Sequence, residues 1–392
     1  MTVRAAVVGG GIGGLVAALA LRRAGVDVRV FEQAPAVGAV GAGIQLAPNA
    51  TRVLDALGVL PAVRAIAVEP TAFEFRRWDD GRLLSATPLG AAMVAAYAAP
   101  YLHAHRGDLV AVLGDAVLAA GVPVEVGARC VDVLPGERGA EVRFAGGRRE
   151  TADLVVGADG IHSLVRHAIL GAADARFTGH VAFRGLIPAE RVAGLPLTHT
   201  STVRMGPGSH CVHYFVSSGR LLNVVCVIEE DAWTRESWTD HGDPAELRAA
   251  FAGWDPVVRA VIDELSAPLK WALFDRLPFD RWSKGAVTLL GDACHPMLPY
   301  GAQGAAQAIE DAAVLAACLR DDSDVPAALA RYEALRHDRT ARVQQISRGN
   351  ATRFHLPDGP EQEARDAAIA VGNGLSPDLE WLYAFDPLTG HA

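Results

Sequence analysis

The sequence predicts an α/β chain. A parallel-sheet domain opens at the N-terminus, is interrupted by a mainly antiparallel β-sheet domain, and resumes before a helical C-terminal segment. Three observations carry this. Residues 3–31 run as apolar strand, glycine-rich turn, apolar helix and second strand. Between residues 175 and 285 the texture changes to short β-like runs separated by Gly and Pro. Residues 286–312 return to strand, loop and Ala-rich helix.

The 392 residues are 51% apolar, enough for two to three domains or one large core with an insert. Net charge is −9 with no basic block, which argues against a nucleic-acid partner. No long uncharged apolar run reads as a membrane span. The N-terminal run is broken by glycines and is not read as a signal peptide. The five cysteines (Cys130, Cys211, Cys226, Cys294 and Cys318) are scattered and form no CxxC. Neither a disulfide framework nor a metal site is indicated, and a reducing cytoplasm is the expected setting.

Taken in order, residues 3–8 are a strand, and Gly9-Gly10-Gly11-Ile12-Gly13-Gly14 opens a helix reaching about Ala24. Residues 26–31 form the second strand, followed by Glu32 and Gln33. In this β–α–β frame Gly9, Gly11, Gly13 and Gly14 allow a tight turn and let a pyrophosphate approach the helix N-terminus. Glu32, with Gln33 beside it, is placed to hydrogen-bond a ribose. The frame predicts a Rossmann-like dinucleotide site without separating FAD from NAD. A Gly-rich loop, 40–45, precedes a helix that runs through Leu57. Residues 71–99 read as strand, Asp79-Asp80-Gly81 turn, strand and Ala-rich loop, an excursion into a second domain. His105-Arg106-Gly107-Asp108 starts a helix, and residues 122–150 form a β-meander. A buried strand at 154–156 leads to Gly157-Ala158-Asp159-Gly160, with Ser163 a reasonable helix cap. Strands at 180–187, 202–205, 210–216 and 221–229 and helices around 244–264 fill the inserted region. Residues 326–349 form a long helix, and the tail closes on Trp381-Leu382-Tyr383.

The stretch 286–312 carries chemistry as well as fold. Asp292 ends a buried strand, and small residues lead to a helix beginning at Gly304 and Ala305. A helix N-terminus carries about half a positive charge. A flavin offers ribityl hydroxyls to such an acid and gains negative charge near such a helix. An ordinary strand–loop–helix explains the same stretch.

The runs Gly291-Asp292-Ala293-Cys294-His295-Pro296, Pro299-Tyr300-Gly301-Ala302-Gln303-Gly304 and Glu310-Asp311 resemble the second flavin motif of the single-component FAD-dependent aromatic hydroxylases. The chain is most similar to the salicylate, 3-hydroxybenzoate and 6-hydroxynicotinate monooxygenases, and the resemblance covers nearly all of it. It implies a p-hydroxybenzoate hydroxylase-like fold. The FAD-binding domain would comprise residues 1–70, 100–174 and 283–350, and the substrate domain residues 71–99 and 175–282, with 351–392 a C-terminal packing segment. It further implies tightly but non-covalently bound FAD, NADH or NADPH as reductant, and O2 as co-substrate. The implied reaction is hydroxylation of a small phenolic or heteroaromatic acid through a flavin C4a-hydroperoxide, by a monomer or homodimer. No second GxGxxG followed by an acid is present, so the nicotinamide is expected in a transient groove. By the same resemblance Gly43 and Gln45 lie beside the isoalloxazine, Arg106 near the phosphate or ribityl chain, and Asp159 in a motif linked to FAD and the nicotinamide donor. Gln45 stands where the hydroxynicotinate enzymes are expected to carry His, which weakens transfer of their exact substrate; otherwise it is a solvated loop residue. Arg106 alternatively caps a surface helix. Epoxidation, N-hydroxylation or Baeyer–Villiger chemistry needs the same cofactor residues and remains an alternative, as does an FAD-binding redox protein without turnover.

On a strand, side chains alternate faces. Within 210–216, His210, Val212 and Tyr214 therefore share one face, and Cys211 and His213 the other. The related hydroxylases carry a His and a Tyr at this i, i+4 spacing. His210 is accordingly assigned as the base or proton relay that forms the phenolate, and Tyr214 as the residue that orients the substrate or completes the relay. His210 is otherwise a turn-end histidine beside Gly208-Ser209. His213 is the rival base if a bulge reverses the register.

Overall fold

The structure is a computed structural model that describes residues 2–38, 41–136, 138–171, 175–231, 241–322, 324–371 and 377–389. Of the residues singled out in the sequence, Val40 lies outside them.

The chain begins with β1 (Arg4–Val8), α1 (Ile12–Arg23) and β2 (Asp27–Phe31). Next come β3 (Gly43–Leu46), α2 (Pro48–Ala56) and α3 (Leu60–Ile66). It departs for β4 (Ala72–Arg77), β5 (Leu83–Pro88) and α4 (Ala91–Tyr97), then returns as β6 (Leu102–His105) and α5 (Arg106–Ala119). The short β7 (Val124–Glu125) precedes a meander of β8 (Cys130–Gly136), β9 (Gly139–Phe144) and β10 (Arg149–Ala152). β11 (Leu154–Gly157) and α6 (Leu164–Leu170) follow. The inserted region holds β12 (Arg176–Pro188), β13 (Ser201–Gly206), β14 (Ser209–Val216), β15 (Leu221–Glu229), α7 (Pro244–Ala250), α8 (Pro256–Asp263) and β16 (Leu269–Asp275). β17 (Ser283–Lys284) and β18 (Val287–Leu289) lead to α9 (Gly304–Asp321), α10 (Val325–Phe354), α11 (Pro360–Val371) and α12 (Pro377–Ala384).

Two sheets organise these elements. The first has the order β17-β18-β11-β1-β2-β7, parallel except for the β17–β18 edge. Its strands are short, almost wholly apolar and buried, as a sheet covered on both faces requires. The second has the order β16-β12-β15-β14-β13-β4-β5 and is antiparallel except for β13 against β4. It thus draws on the excursion at 72–88 as well as the later insert.

Two readings of the sequence are corrected. The Ala-rich part of 71–99 is the helix α4, which follows Gly90 as its N-cap with no side-chain cap hydrogen bond. The end of the Gly-rich loop at 40–45 is the strand β3, antiparallel to β6. Both elements are short and are fixed by packing. Met93 of α4 is buried with Leu89, Tyr101, Leu382 and Tyr383. The tail is therefore a packing element, and it presents Trp381 to the guanidinium groups of Arg339 and Arg342.

The second sheet has two cores, one per face. Phe183, Cys211, Val224 and Cys226 pack beneath α7 and α8 with Phe251 and Val261. Ala182, Val203, Val225 and Val227 face Leu298, Tyr300 and Phe354. The second face looks toward the first sheet, and the site lies there.

Candidate active site

The glycine turn after β1 divides its work. Gly9 has φ +113°, and a Cβ there would lie 2.3 Å from the Ala158 carbonyl oxygen. At Gly13 a Cβ would lie 2.7 Å from Leu290 and 3.2 Å from Ala308, so this glycine lets α1 approach α9. At Gly14 it would meet the Gly9 carbonyl. Gly11 alone of the four has open space before it, with the Arg106 guanidinium 3.9 Å from where a Cβ would stand. Gly11 also starts α1 with no side-chain cap, which leaves helix N–H groups free toward that space. Glu32 accepts from the Gly10 N–H at 2.6 Å and the Ala34 N–H at 2.7 Å, fixing the turn, while Gln33 is exposed.

Asp292 stands across this cleft. Protein surrounds it closely enough that burial raises its carboxyl pKa, yet the side chain is solvent-exposed. Among the described residues its carboxylate makes no hydrogen bond or ion pair. An acid with these properties is on the floor of an open cleft. Gly304, whose Cβ position lies 3.8 Å from Asp292 Oδ1, and Ala305 form the first turn of α9, again with no side-chain cap. An exposed guanidinium at Arg106, an unpartnered acid and two uncapped helix ends fit a flavin dinucleotide: anionic phosphates, ribityl hydroxyls and a ring that becomes anionic on reduction.

Behind the same loop every charge is closed. Asp311 accepts from the Gly291 N–H at 2.9 Å, lies 2.6 Å from His295 Nε2 and accepts from Arg336 Nε at 2.7 Å. Glu310 takes Arg336, Arg339 and the Asn49 amide. Burial opposes ionisation of Asp311, but His295 and Arg336 outweigh it and hold the carboxyl at about 2. Glu310-Asp311 is therefore the brace of the loop. Gln344 and Asn350 of α10 add donors to the Pro296 and Tyr300 carbonyls.

Asp159 caps α6. Both carboxylate oxygens are used on α6: Oδ1 accepts from the Ser163 hydroxyl at 2.5 Å, and Oδ2 from the Leu164 and Val165 N–H groups. Ser163 itself caps α6 by accepting from the Arg166 N–H at 2.9 Å. Gly43 and Gln45 both belong to β3. A Cβ at Gly43 would lie 2.5 Å from Asn223 and 2.7 Å from Tyr214, so this glycine joins β3 to the second sheet. Gln45 is buried and accepts from the Tyr101 hydroxyl at 2.5 Å; it is not a solvated loop residue.

The pairing of β14 has no register shift. His210 and Tyr214 therefore share the cleft face, and His213 lies opposite, hydrogen-bonded to Arg204 beneath α8. Between the rows of His210 and Tyr214 runs the row Arg184–Val225–Val212–Val203. Together they outline a slot with an apolar floor. His210 and Tyr300, with ring centroids 5.0 Å apart, stand at one end. Tyr214 closes the other end beside Gln45, and burial pushes its hydroxyl pKa up to about 12.

Arg184 is the residue the sequence reading missed. Its guanidinium lies over the Trp271 ring at 5.0 Å, and burial lowers its basicity. Among the described residues no acid pairs with it, and Nε has no hydrogen-bond partner. Tyr214 and Arg106 are the groups whose charges act on it. The sequence signal was available, since an arginine interrupts the apolar strand 180–187 on the cleft-facing alternation. The surface concavities beside Asp280 and Glu333, and beside Arg4 and Glu141, contain none of these residues.

Residues 2–347 match the family described as FAD binding domain. The chain is 44% identical over 384 residues to a 3-amino-4-hydroxybenzoate 2-monooxygenase of Streptomyces platensis, covering 98% of this chain and 96% of the relative. It is 39% identical over 351 residues to a 6-hydroxynicotinate 3-monooxygenase of Bordetella bronchiseptica, covering 88% and 91%. Among solved structures, Klebsiella pneumoniae HpxO complexed with FAD and uric acid superimposes with a TM-score of 0.85 at 29% identity, covering 98% of this chain and 97% of that one.

Proposed function

The chain belongs to the FAD-binding domain family and is an FAD-dependent monooxygenase, and from that premise we propose that it hydroxylates a small aromatic acid bearing a ring hydroxyl or amino group. The observation that carries the acid is Arg184, a guanidinium without an acidic partner among the described residues, in a slot otherwise lined by Val212, Val225 and Tyr214. A planar carboxylate satisfies such a fork with two parallel hydrogen bonds. From sheet spacing, the Cα atoms of Arg184 and His210 lie about 12 Å apart, room for one substituted ring between their side chains. The proposal agrees in kind with the benzoate and nicotinate substrates named for the two relatives.

Bound FAD, reduced by NAD(P)H, would activate O2, one atom of which enters the ring while the other leaves as water. The chain's own residues do the rest. Asp292 and the N-terminus of α9 would hold the ribityl and pyrimidine side, and Gly11 and Arg106 would hold the phosphates. Arg184 and Tyr214 fix the substrate carboxylate, and Val212 and Val225 exclude water from the ring face. His210 Nε2 accepts the proton of the ring hydroxyl, which makes the ring electron-rich at the moment of attack.

The test is a panel of hydroxybenzoates, aminohydroxybenzoates and hydroxynicotinates, each with its carboxamide, offered to the FAD-loaded protein with NADH or NADPH. One or more acids should accelerate NAD(P)H oxidation and yield a product heavier by one oxygen, with the matching amide inert. Oxidation that no acid accelerates, or amides that serve as well as acids, would overturn the reading.

A further inference from the structure

We propose that His210, His355 and Glu229 form a proton wire from the aromatic slot to solvent. The inference rests on the reading of His210 as the group that meets the substrate hydroxyl, and it adds the exit that this reading lacks. His210 is 2% exposed, so a proton received there has no direct path to bulk water. Its Nδ1 lies 2.7 Å from His355 Nε2. His355 Nδ1 in turn lies 3.1 Å from Glu229 Oε1. The His355 side chain is 1% exposed and that of Glu229 is 55% exposed, so the third member reaches water. Among the described residues His210 Nε2 has no hydrogen-bond partner, which leaves it for the substrate.

The geometry is held from both sides. His355 caps the C-terminus of α10, and its carbonyl accepts from the Gly208 N–H at 3.0 Å in the β13–β14 turn. The Gly208 carbonyl accepts from the Glu229 N–H at 3.0 Å. One turn residue therefore registers the second imidazole against the terminal acid. His180 of β12 and Tyr300 of the flavin loop pack on the same rings, and no cationic side chain enters the cluster in these contacts. Burial, with His355 and His180 beside it, holds His210 well below the ordinary histidine range. Burial and His180 hold His355 at about 3. Neutral imidazoles pass protons onward instead of storing them.

The transfer balances. The substrate O–H proton moves to His210 Nε2 as the Nδ1 proton of His210 moves to His355 Nε2. The Nδ1 proton of His355 moves to Glu229, which releases it to water. Both rings end neutral in the opposite tautomer. When the hydroxylated ring carbon later loses its hydrogen and aromaticity returns, the reverse transfer reprotonates the oxygen and restores both tautomers.

The test uses 4-hydroxy-3-nitrobenzoate, a ring-hydroxylated acid whose phenolate is coloured, mixed rapidly with FAD-loaded protein below the probe's own pKa. In His355→Gln, phenolate formation should slow on the order of 10²-fold, and in Glu229→Gln about 10-fold, with FAD content and flavin reduction unchanged. Added imidazole should restore the rate in His355→Ala, which a purely structural role would not allow. Glu229 is exposed, so its variant folds even if a His355 variant does not. Parental rates in both Gln variants overturn the wire. So does a stoichiometric divalent metal held by His180, Glu229 and His355 in the purified protein, since those ring nitrogens would then be committed. Unchanged ionisation in His210→Ala overturns the role of His210 itself, a failure distinguishable from loss of the exit alone.

Discussion

The two faces of the seven-stranded sheet carry the same pair of residue types and use them in opposite ways. On the face beneath α8, Arg204 lies 2.6 Å from Asp255 and hydrogen-bonds His213, and the three side chains are buried. Asp255 also accepts from the Val257 N–H at 2.7 Å, capping α8. On the cleft face, among the described residues, Arg184 has no acid and His210 leaves one nitrogen unused. The segment from β18 into α9 repeats the contrast, with Asp311 closed by three partners and Asp292, among the described residues, open. Closed charges brace the fold. Open charges on the same framework are a stability cost that a ligand relieves.

The comparison breaks first at Asp255. Asp255→Ala strands a buried guanidinium and removes a helix cap, so stability should fall by about 3–5 kcal/mol, read from the midpoint of denaturant unfolding. Arg184→Met should leave that midpoint unchanged or raise it. Its effect belongs in catalysis: KM for the accepted acid should rise by roughly 10–150-fold, the equivalent of about 1.5–3 kcal/mol for a lost hydrogen bond to a charged group. Equal destabilisation by the two substitutions would erase the distinction between the faces.

Asp292 and Asp311 sharpen it at smaller scale, through the sign of their pH dependence. Asp311 is held at about 2, below its ordinary value of 3.8, so its contribution is complete above pH ~4 and is lost as pH falls toward ~2. Asp292 is shifted upward, so the folded state favours its protonated form. Its stabilising contribution belongs to low pH and is lost as pH rises through the folded value. Acid unfolding of Asp311→Asn should therefore lose its steep phase in that window. Asp292→Asn apoprotein near neutrality should be at least as stable as the parent, while FAD binding should weaken by about 1 kcal/mol, roughly fivefold. An Asp292→Asn variant that retains FAD fully would remove the acid from the cofactor site.

What the sequence revealed follows from distance along the chain. The β1–α1–β2 frame, the return at 286–312 and the alternation within β14 are local patterns, and the structure has the same elements there. The alternation holds because β14 contains no bulge. Helix α4 and strand β3 escaped because each is short and is stabilised by partners far away, α4 by the tail and β3 by β6 and Asn223. Arg184 was present in the sequence as an interruption in an apolar strand, but its lack of a partner is a three-dimensional property. His355 and Glu229 meet His210 only through the β13–β14 turn, which no spacing rule connects to the end of α10.

The pairing of β11 with β18 sets the order in which this protein is completed during synthesis. Val155 and Val287 become neighbours only after the entire second sheet has left the ribosome. Until then the nascent N-terminal half shows the unpaired edge of β11, a template for wrong pairing, and closure over so long a chain segment is slow. Helix α9, which packs on α1, arrives later still. The half that begins first finishes last, and its parallel sheet is complete only once residues 283–289 have emerged.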